Sequence, residues 1–405
     1  MKFGVIMHKT TRNIGDDIQT FAAMQHLPHT DYFLDREYLD EFGTDDGKPA
    51  AVIMSAWYMW RKWNWPPSDY IVPLLTGIHF SDHQAAQQAG SPVKTEFFTG
   101  CGGDYLNSYG PVGCRDEFTL KTFREIGVDS FFSGCITLTL PKMEKKEPPR
   151  KYVCACDLPK NVLDKLREIV GDKCDIIETT HYMDYRESDA SWEERQAEVI
   201  KLLTLYQNAS CVVTRRLHCA LPCLAMEVPV FLTNGHKRPV SGRFDPYYDW
   251  IKHCTYKEFL KGKFKYDFLN PPPNSREYVP VREAMIKAIE DFVKKYEHED
   301  GNPEQYKKTT YSELELYKWK AETMRGCMNR WFGVTDAEER ELIELRPKAA
   351  ERDVLLPEVR HYRKVLGCRS IKFMIKARNL FMPKDKRIRT YEEVKAEKEA
   401  LEKQQ

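Results

Sequence analysis

Short apolar runs alternate with amphipathic helical segments along the first 300 residues, and this alternation constrains the fold more than any other feature. The runs have the length of buried strands, and the segments after them carry apolar residues at helical spacing. Such pairs are 3–7 with 16–27, 152–156 with 161–170, and 211–213 with 217–226. Alternation of this kind predicts an α/β protein whose strands are parallel and joined by right-handed crossovers.

A polar, proline-bearing stretch at 142–150 interrupts this alternation and is predicted to be a linker. It divides the chain into an N-terminal domain at 1–141 and a C-terminal domain at 151–300, which ends in a helix at 280–297. We expect a cleft between the carboxyl ends of the strands of the two domains, because ligands bind at that edge of open parallel sheets. The charged remainder, 301–405, is predicted to be a helical extension.

Charge and hydropathy exclude several classes of protein. The formal net charge is +1, whereas a general nucleic-acid-binding protein is strongly basic, so we expect no nucleic-acid partner. No apolar stretch reaches the roughly 18 residues that a membrane-spanning helix needs. The apolar run at 3–7 is also too short for the core of a signal peptide. These features predict a cytoplasmic protein.

The chain contains 12 cysteines, many of them inside apolar runs. In a reducing compartment such cysteines are expected to be small buried hydrophobic residues. Cys219 and Cys223 stand near His218 and suggest part of a metal site, but no second cluster of cysteine and histidine completes a tetrahedral set in the sequence. We therefore expect no metal site.

The segment from Cys211 to His218 carries the clearest indication of chemistry. A buried strand ends at Thr214, and Arg215, Arg216 and His218 follow at the start of a helix. Free backbone N–H groups at a helix start favour an anion, and a guanidinium adds a ligand for phosphate. A histidine beside that anion can donate or accept a proton. The alternative is that the arginines cap structure and that His218 is a satisfied core residue.

Five segments occur in an order that resembles one enzyme family. They are Asn13-Ile14-Gly15-Asp16-Asp17-Ile18-Gln19, Gly113-Cys114-Arg115-Asp116-Glu117, Ser133-Gly134-Cys135-Ile136-Thr137-Leu138-Thr139, Arg216-Leu217-His218 with Val228-Pro229-Val230, and Ser241-Gly242-Arg243-Phe244. Together they resemble the signature of the polysaccharide pyruvyl transferases. The resemblance covers about residues 1–260 and leaves 302–405 uncovered.

The resemblance implies a fold and a reaction. The fold is that of two Rossmann-like lobes, as in GT-B glycosyltransferases, with the acceptor on the N-terminal lobe and the donor on the C-terminal lobe. The reaction transfers the enolpyruvyl group of phosphoenolpyruvate onto two hydroxyls of a sugar and forms a pyruvate ketal, without a cofactor. The family's donor-binding positions correspond to Arg115, Arg216, Leu217 and Arg243. The resemblance makes His218 the catalytic residue, as the acid, as the base or as the group that holds the leaving phosphate.

The turn from Asn13 to Asp16 lies between the first strand and its helix. Gly15 permits close approach of a ligand, and Asn13, Asp16 and Gln19 offer hydrogen bonds to sugar hydroxyls. We therefore interpret this turn as the acceptor-binding segment. The alternative is an ordinary helix cap at Asp16.

Three other segments favour structural roles. Arg115 lies at a helix start that acidic residues would stabilise, and only the family resemblance gives it a ligand. Residues 133–139 are predicted to be a β-run with hydroxyls on one face. The aromatic run from Trp57 to Trp65 favours packing over stacking on sugar rings.

Residues 369–389 combine basic side chains with interleaved apolar ones. This composition is typical of a helix that lies on an anionic membrane surface, and packing on the body of the protein is an equal alternative. The expected acceptor is a sugar in a cell-surface polysaccharide or its lipid-linked precursor. Peripheral attachment to the inner face of the membrane would suit the lipid-linked form.

Two other functions stay open at the level of sequence, as does the oligomeric state. One is a GT-B-type glycosyltransferase that uses a nucleotide sugar, although the second domain shows no clear glycine-rich loop for a diphosphate. The other is a non-catalytic scaffold that binds glycan. The combination of Arg115, Arg216 and His218 argues against the scaffold.

Overall fold

The computed structural model describes residues 1–332, except for 10, 60–63, 81–92, 184–189 and 236–242. Contacts within the chain define two units. The first comprises Met1–Tyr58, Pro67–Ser81 and Leu106–Lys308, and the second comprises Met59–Pro66, Asp82–Tyr105 and Thr309–Gln405. All the described strands lie in the first unit, and every strand pair is parallel. The prediction of an α/β protein with parallel sheets is therefore confirmed.

The first unit contains two large sheets and one small one. The first large sheet has the order β2-β1-β3-β4, the second has the order β11-β10-β9-β7-β8, and β5 pairs with β6. The strands are β1 Lys2–Met7, β2 Tyr32–Asp35, β3 Ala50–Met54, β4 Ile71–Leu75, β5 Val112–Cys114, β6 Ser130–Phe132, β7 Tyr152–Cys156, β8 Asp175–Thr179, β9 Cys211–Thr214, β10 Val230–Asn234 and β11 Lys252–Thr255. Strands β3, β7 and β9 are buried along their whole length, which explains their continuous apolar sequence.

Helices connect and flank these strands. They are α1 Ile14–Met24, α2 Gly100–Tyr109, α3 Glu117–Glu125, α4 Lys160–Val170, α5 Trp192–Asn208, α6 Leu217–Ala225, α7 Tyr256–Leu260, α8 Val279–Tyr296, α9 Pro303–Tyr306 and α10 Glu313–Phe332. Helix α1 begins after Asn13, whose side-chain oxygen accepts a hydrogen bond from the Gly15 N–H at 3.1 Å. The helix predicted at 280–297 is α8, with a proline in its first turn.

The start of α1 is bound to the chain that follows β8. The Ile14 N–H donates to the His181 carbonyl at 2.9 Å, and the Met183 N–H donates to the Arg12 carbonyl at 2.9 Å. A single buried cluster includes side chains of both large sheets and of α1, α5 and α6. The two sheets therefore share a core, and the starts of α1 and α6 are brought together.

The segment 133–139 is not a strand, so that prediction is wrong. Strand β6 ends at Phe132, and a 3₁₀ helix covers Ile136–Thr139. Gly134 lies between them with φ +75°, a left-handed conformation that ends an extended strand and that residues other than glycine rarely adopt.

Residues 141–150 form neither helix nor strand. The backbone N–H groups of Met143 and Lys146 donate to Gln207 and Asn208 at the end of α5. The linker character of 142–150, and the division into domains at 1–141 and 151–300, stay predictions.

The second unit has its own aromatic packing. Trp65 is buried against Phe98 and Tyr105, and its indole N–H donates to the Gly102 carbonyl at 3.3 Å. The ring of Trp319 on α10 packs edge-on against Phe97. Most of the predicted extension at 301–405, including the basic segment 369–389, lies outside the described residues. No helix in the described part of the chain is long and apolar enough to cross a membrane.

Candidate functional site

The start of α6 carries the predicted strand-to-helix motif. Strand β9 ends at Thr214, whose hydroxyl accepts a hydrogen bond from the Arg216 N–H at 2.9 Å. Arg216 is the N-cap residue of α6, and Leu217 and His218 form its buried first turn. His218 is only 3% exposed, and both its ring nitrogens are buried without a hydrogen-bond partner among the described residues. A buried imidazole in this state has an N–H to offer to a ligand.

Gly15 on α1 lies directly against His218. A Cβ atom at Gly15 would be 2.8 Å from the Cβ and 3.1 Å from the Nδ1 of His218. Such distances leave no space for a side chain, so the approach of the two helix starts requires glycine at this position. The predicted acceptor segment and the predicted catalytic residue are thus neighbours.

Arg115 approaches the same place from the end of β5. It is 1% exposed, and its Nη1 donates to the Gln19 side-chain oxygen at 2.7 Å. Its Nε and Nη2 are buried and find no acceptor within the described chain. The Tyr247 hydroxyl donates to the Arg115 carbonyl, which ties the segment after Arg243 to this site.

Arg243 is the second cation of this region. Its guanidinium lies over the Trp57 ring, 5.9 Å from the ring centre, and its Nε is buried without a hydrogen-bond partner in the part of the chain that the structure describes. Burial and the nearby charge of Arg115 lower the pKa of Arg243 to about 10, so it stays protonated at neutral pH. Two guanidinium groups thus share one buried region.

The electrostatic environment of His218 follows from these cations. Burial lowers its pKa well below the ordinary value, and the charges of Arg115 and Arg243 lower it further. The imidazole is therefore neutral at pH 7.

Arg216 has different surroundings. Its Nε donates to the Asp157 carboxylate at 2.7 Å, and its guanidinium lies over the Tyr182 ring, 4.9 Å from the centre. Its side chain is 24% exposed, whereas that of Asp157 is 9% exposed. Burial lowers the pKa of Arg216, but the adjacent Asp157 carboxylate outweighs burial and raises it. Only the Nη2 of Arg216 is buried without an acceptor among described residues.

The predicted acceptor side chains mainly bind one another. Asn13 caps α1, the Asp16 carboxylate accepts from the Thr11 hydroxyl at 2.8 Å, and the Gln19 amide donates to Asp16 at 3.3 Å. Burial raises the pKa of Asp16, but the charges of His8, Arg36 and Arg115 and the Thr11 hydrogen bond outweigh burial and hold the pKa below its ordinary value. The helix cap that was considered at Asp16 is therefore formed by Asn13 instead.

A histidine–aspartate pair beside the arginines was missed by the sequence analysis. The Nδ1 of His79 lies 2.5 Å from the Asp116 carboxylate, which also accepts from the Thr119 N–H at 2.9 Å. Burial lowers the pKa of His79 to about 4, against the opposing effect of Asp116. The Trp57 ring lies 5.6 Å from that of His79. Asp116 follows Arg115 in the motif at 113–117. This position was the only indication in the sequence that Asp116 belongs to the site.

The arrangement is suited to a buried anion. Arg115, Arg243 and His218 present N–H groups that the described residues leave without acceptors, and a guanidinium pair favours a ligand with two negative groups. Residues 13–236, more than half of the chain, match the family described as polysaccharide pyruvyl transferase. The chain belongs to this family. The match includes every predicted site residue except Arg243. No curated protein matches the chain.

Proposed function

We propose that this family member transfers the pyruvyl group of phosphoenolpyruvate to two hydroxyls of a sugar and forms a ketal. In the balanced reaction the bond between the phosphate oxygen and the central carbon breaks, and two carbon–oxygen bonds to the sugar form. One hydroxyl proton goes to the methylene carbon, which becomes a methyl group, and the other leaves with phosphate. No oxidant or reductant is needed.

The observation that carries this proposal is the set of buried N–H groups on Arg115 and Arg243 beside His218. Phosphoenolpyruvate bears a carboxylate and a phosphate, so each guanidinium has an anionic group to bind. Binding would compensate the cost of keeping two cations in a buried region.

His218 is assigned to the phosphate. A neutral imidazole still donates one N–H, and the start of α6 adds the partial positive charge of a helix N-terminus. Leu217, the residue before His218, is buried in the core. Arg216, which is bound to Asp157, would border the bound phosphoenolpyruvate. These donors would stabilise the charge that develops on the departing phosphate.

The acceptor is assigned to the turn that starts α1. Gly15 contacts His218, so a sugar that approaches over Asn13 and Gly15 would bring its hydroxyls to the donor. Asp16 and Gln19 support this turn and hold Arg115 in position.

The wider proposal retains three further expectations. The two large sheets would belong to Rossmann-like lobes of a GT-B-like fold, with 142–150 as the linker. The acceptor would be part of a cell-surface polysaccharide or its lipid-linked precursor. A cytoplasmic enzyme could reach that precursor through peripheral contact of residues 369–389 with the inner face of the membrane.

Thermal unfolding with added ligands tests the donor. Phosphoenolpyruvate well above its Kd should raise the Tm, because a ligand at 100 times its Kd stabilises the native state by about 2.7 kcal/mol. The rise should vanish in Arg115→Met and persist in Arg167→Met, a control on the exposed side of α4. A rise with nucleotide sugars alone would instead identify a glycosyltransferase.

Release of phosphate tests the reaction. With phosphoenolpyruvate and a panel of hexose acceptors, phosphate should appear in equal amount to a new methyl signal of a ketal in the proton NMR spectrum. Binding of glycan and phosphoenolpyruvate without either product would identify a non-catalytic scaffold.

A further inference from the structure

A second cluster of reactive side chains lies in the core beside the candidate site. The sulfur atoms of Cys156 and Cys219 and a ring nitrogen of His181 all lie within 4.8 Å of one another. All three residues are buried, with exposures of 0%, 0% and 1%. They come from the end of β7, the first turn of α6 and the segment after β8, so the fold and not the local sequence assembles them.

The ring of His181 is held by the Tyr206 hydroxyl. One ring nitrogen, Nε2, lies 3.0 Å from the Tyr206 hydroxyl, and the other, Nδ1, is buried without a hydrogen-bond partner among the described residues. In metal sites the second ring nitrogen of a ligating histidine is held by a hydrogen bond, which orients the ring. The Tyr206 hydroxyl also donates to the Cys156 sulfur at 3.4 Å, so it orients two of the proposed ligands.

A further thiol stands one helical turn along α6. Cys223 follows Cys219 by four residues on the same helix and is fully buried. Two cysteines at this spacing on one helix can bind the same ion. We infer that Cys156, His181 and Cys219, with Cys223 as the fourth ligand, form a structural zinc site.

The ligand types of the cluster, sulfur and imidazole, favour zinc. A bound Zn²⁺ displaces the protons of its thiol ligands, and the three thiolates leave a site of three cysteines and one histidine with a net charge of −1. Sulfur and imidazole ligands also suit zinc better than magnesium or calcium.

The zinc site would stabilise the segments that carry the candidate active-site residues. Cys219 adjoins His218, and Cys156 adjoins Asp157, the partner of Arg216. The His181 carbonyl accepts the hydrogen bond from the first N–H of α1. A zinc ion would therefore tie together the three segments that position the proposed donor and acceptor groups.

Metal content of the full chain tests the inference without any substrate, so its result is independent of pyruvyl transfer. Protein purified without a metal-affinity tag from zinc-supplemented medium should contain about one zinc ion per chain, as a four-ligand site requires. Cys219→Ala and His181→Ala should lose it. Cys114→Ala, an equally buried cysteine outside the cluster, should keep it.

The wild-type chain alone can overturn the inference if the variants fail to fold. Protein produced in cobalt-supplemented minimal medium should show the thiolate-to-cobalt charge-transfer absorption of a tetrahedral sulfur site. Wild-type protein with neither zinc nor this absorption, or with a disulfide between Cys156 and Cys219, would sink the proposal.

Discussion

The regions around Arg115 and Arg216 each contain a guanidinium group, but the two groups differ in burial and in their hydrogen-bond partners. Arg115 is fully buried, donates to the neutral Gln19 side chain, and keeps two N–H nitrogens for which the described residues supply no acceptor. Arg216 is a quarter exposed and is bound to the Asp157 carboxylate. Sequence reasoning gave the two arginines the same task, and the structure separates them.

The difference concerns what stabilises each cation. A buried guanidinium without a full set of acceptors is unfavourable, so the Arg115 region is stabilised fully only when an anion enters it. The Arg216 region is already stabilised by its own chain, through a charge-assisted hydrogen bond. We therefore expect mutations in the first region to affect catalysis and those in the second to affect stability.

The largest expected effect comes from Arg115→Met. Loss of a guanidinium that binds the developing charge should lower kcat/KM by about 10²–10³-fold. The Tm should change by only a few degrees, because removal of an incompletely satisfied buried cation offsets the loss of the Gln19 hydrogen bond and of the charge that stabilises the Asp16 carboxylate. Kinetics with phosphoenolpyruvate and thermal unfolding check both parts, with Arg167→Met as the surface control. A variant that unfolds at a much lower temperature would show that Arg115 is structural.

The pH dependence of stability tests the histidine–aspartate pair in the Arg115 region. The pKa of His79 is about 4 in the folded chain and about 6.5 when unfolded, so the unfolded chain takes up the proton first as the pH falls. The stability that neutral His79 contributes to the folded chain is fully present above pH 6.5 and is lost as the pH falls to 4. It amounts to about 3 kcal/mol at most.

His79→Gln should remove that part of the pH dependence. Denaturant unfolding between pH 7 and pH 4 should give a shallower loss of stability in the variant than in the wild type. Parallel curves for the two proteins would mean that His79 titrates alike in both states.

Arg216→Met tests the second region. It leaves the Asp157 carboxylate, which is 9% exposed, without its cation, and should cost about 1–3 kcal/mol of stability. Asp157→Asn in the same chain should restore part of the loss, since the amide needs no counter-ion. An unchanged Tm with loss of phosphoenolpyruvate binding would contradict this and place Arg216 with Arg115 as a donor ligand.

The sequence predicted the elements better than the contacts between them. The apolar runs of β1, β7 and β9 and the helical spacing of α1, α6 and α8 indicate their structure locally. The strand predicted over 133–139 failed because the positive φ of Gly134 is set by the fold and leaves no mark in an apolar pattern. The motif at 214–218 was recognisable because it is contiguous.

The rest of the site depends on topology. Arg115 and Gln19 are 96 residues apart, and His79 and Asp116 are 37 apart, so spacing in the sequence could not pair them. The cluster of Cys156, His181 and Cys219 was missed for the same reason, because parallel strand order brings together segments that are distant in the chain. The sequence interpretation required a second cluster of cysteine and histidine to complete the set around Cys219, whereas the other members of this cluster are single residues from distant segments.

Gly15→Ala tests whether His218 belongs functionally to the Arg115 region. The added Cβ would lie 2.8 Å from the Cβ of His218, so the imidazole or the start of α1 must shift. Overpacking of this kind costs about 1–3 kcal/mol, and the better helix propensity of alanine offsets up to about 1 kcal/mol of it. Gly43→Ala is the matched control, because a Cβ there meets no heavy atom of the described chain within 4 Å.

The kinetic result of Gly15→Ala then decides the role of His218. If this imidazole holds the leaving phosphate, a small displacement should lower kcat by about 10²-fold while the Tm changes by only a few degrees, because misplacement of a catalytic group is felt far more strongly than its packing cost. If kcat is unchanged although the Tm falls, His218 is a packed core residue. The anion site would then consist of Arg115 and Arg243 alone, and the start of α6 would belong with Arg216 in the structural region.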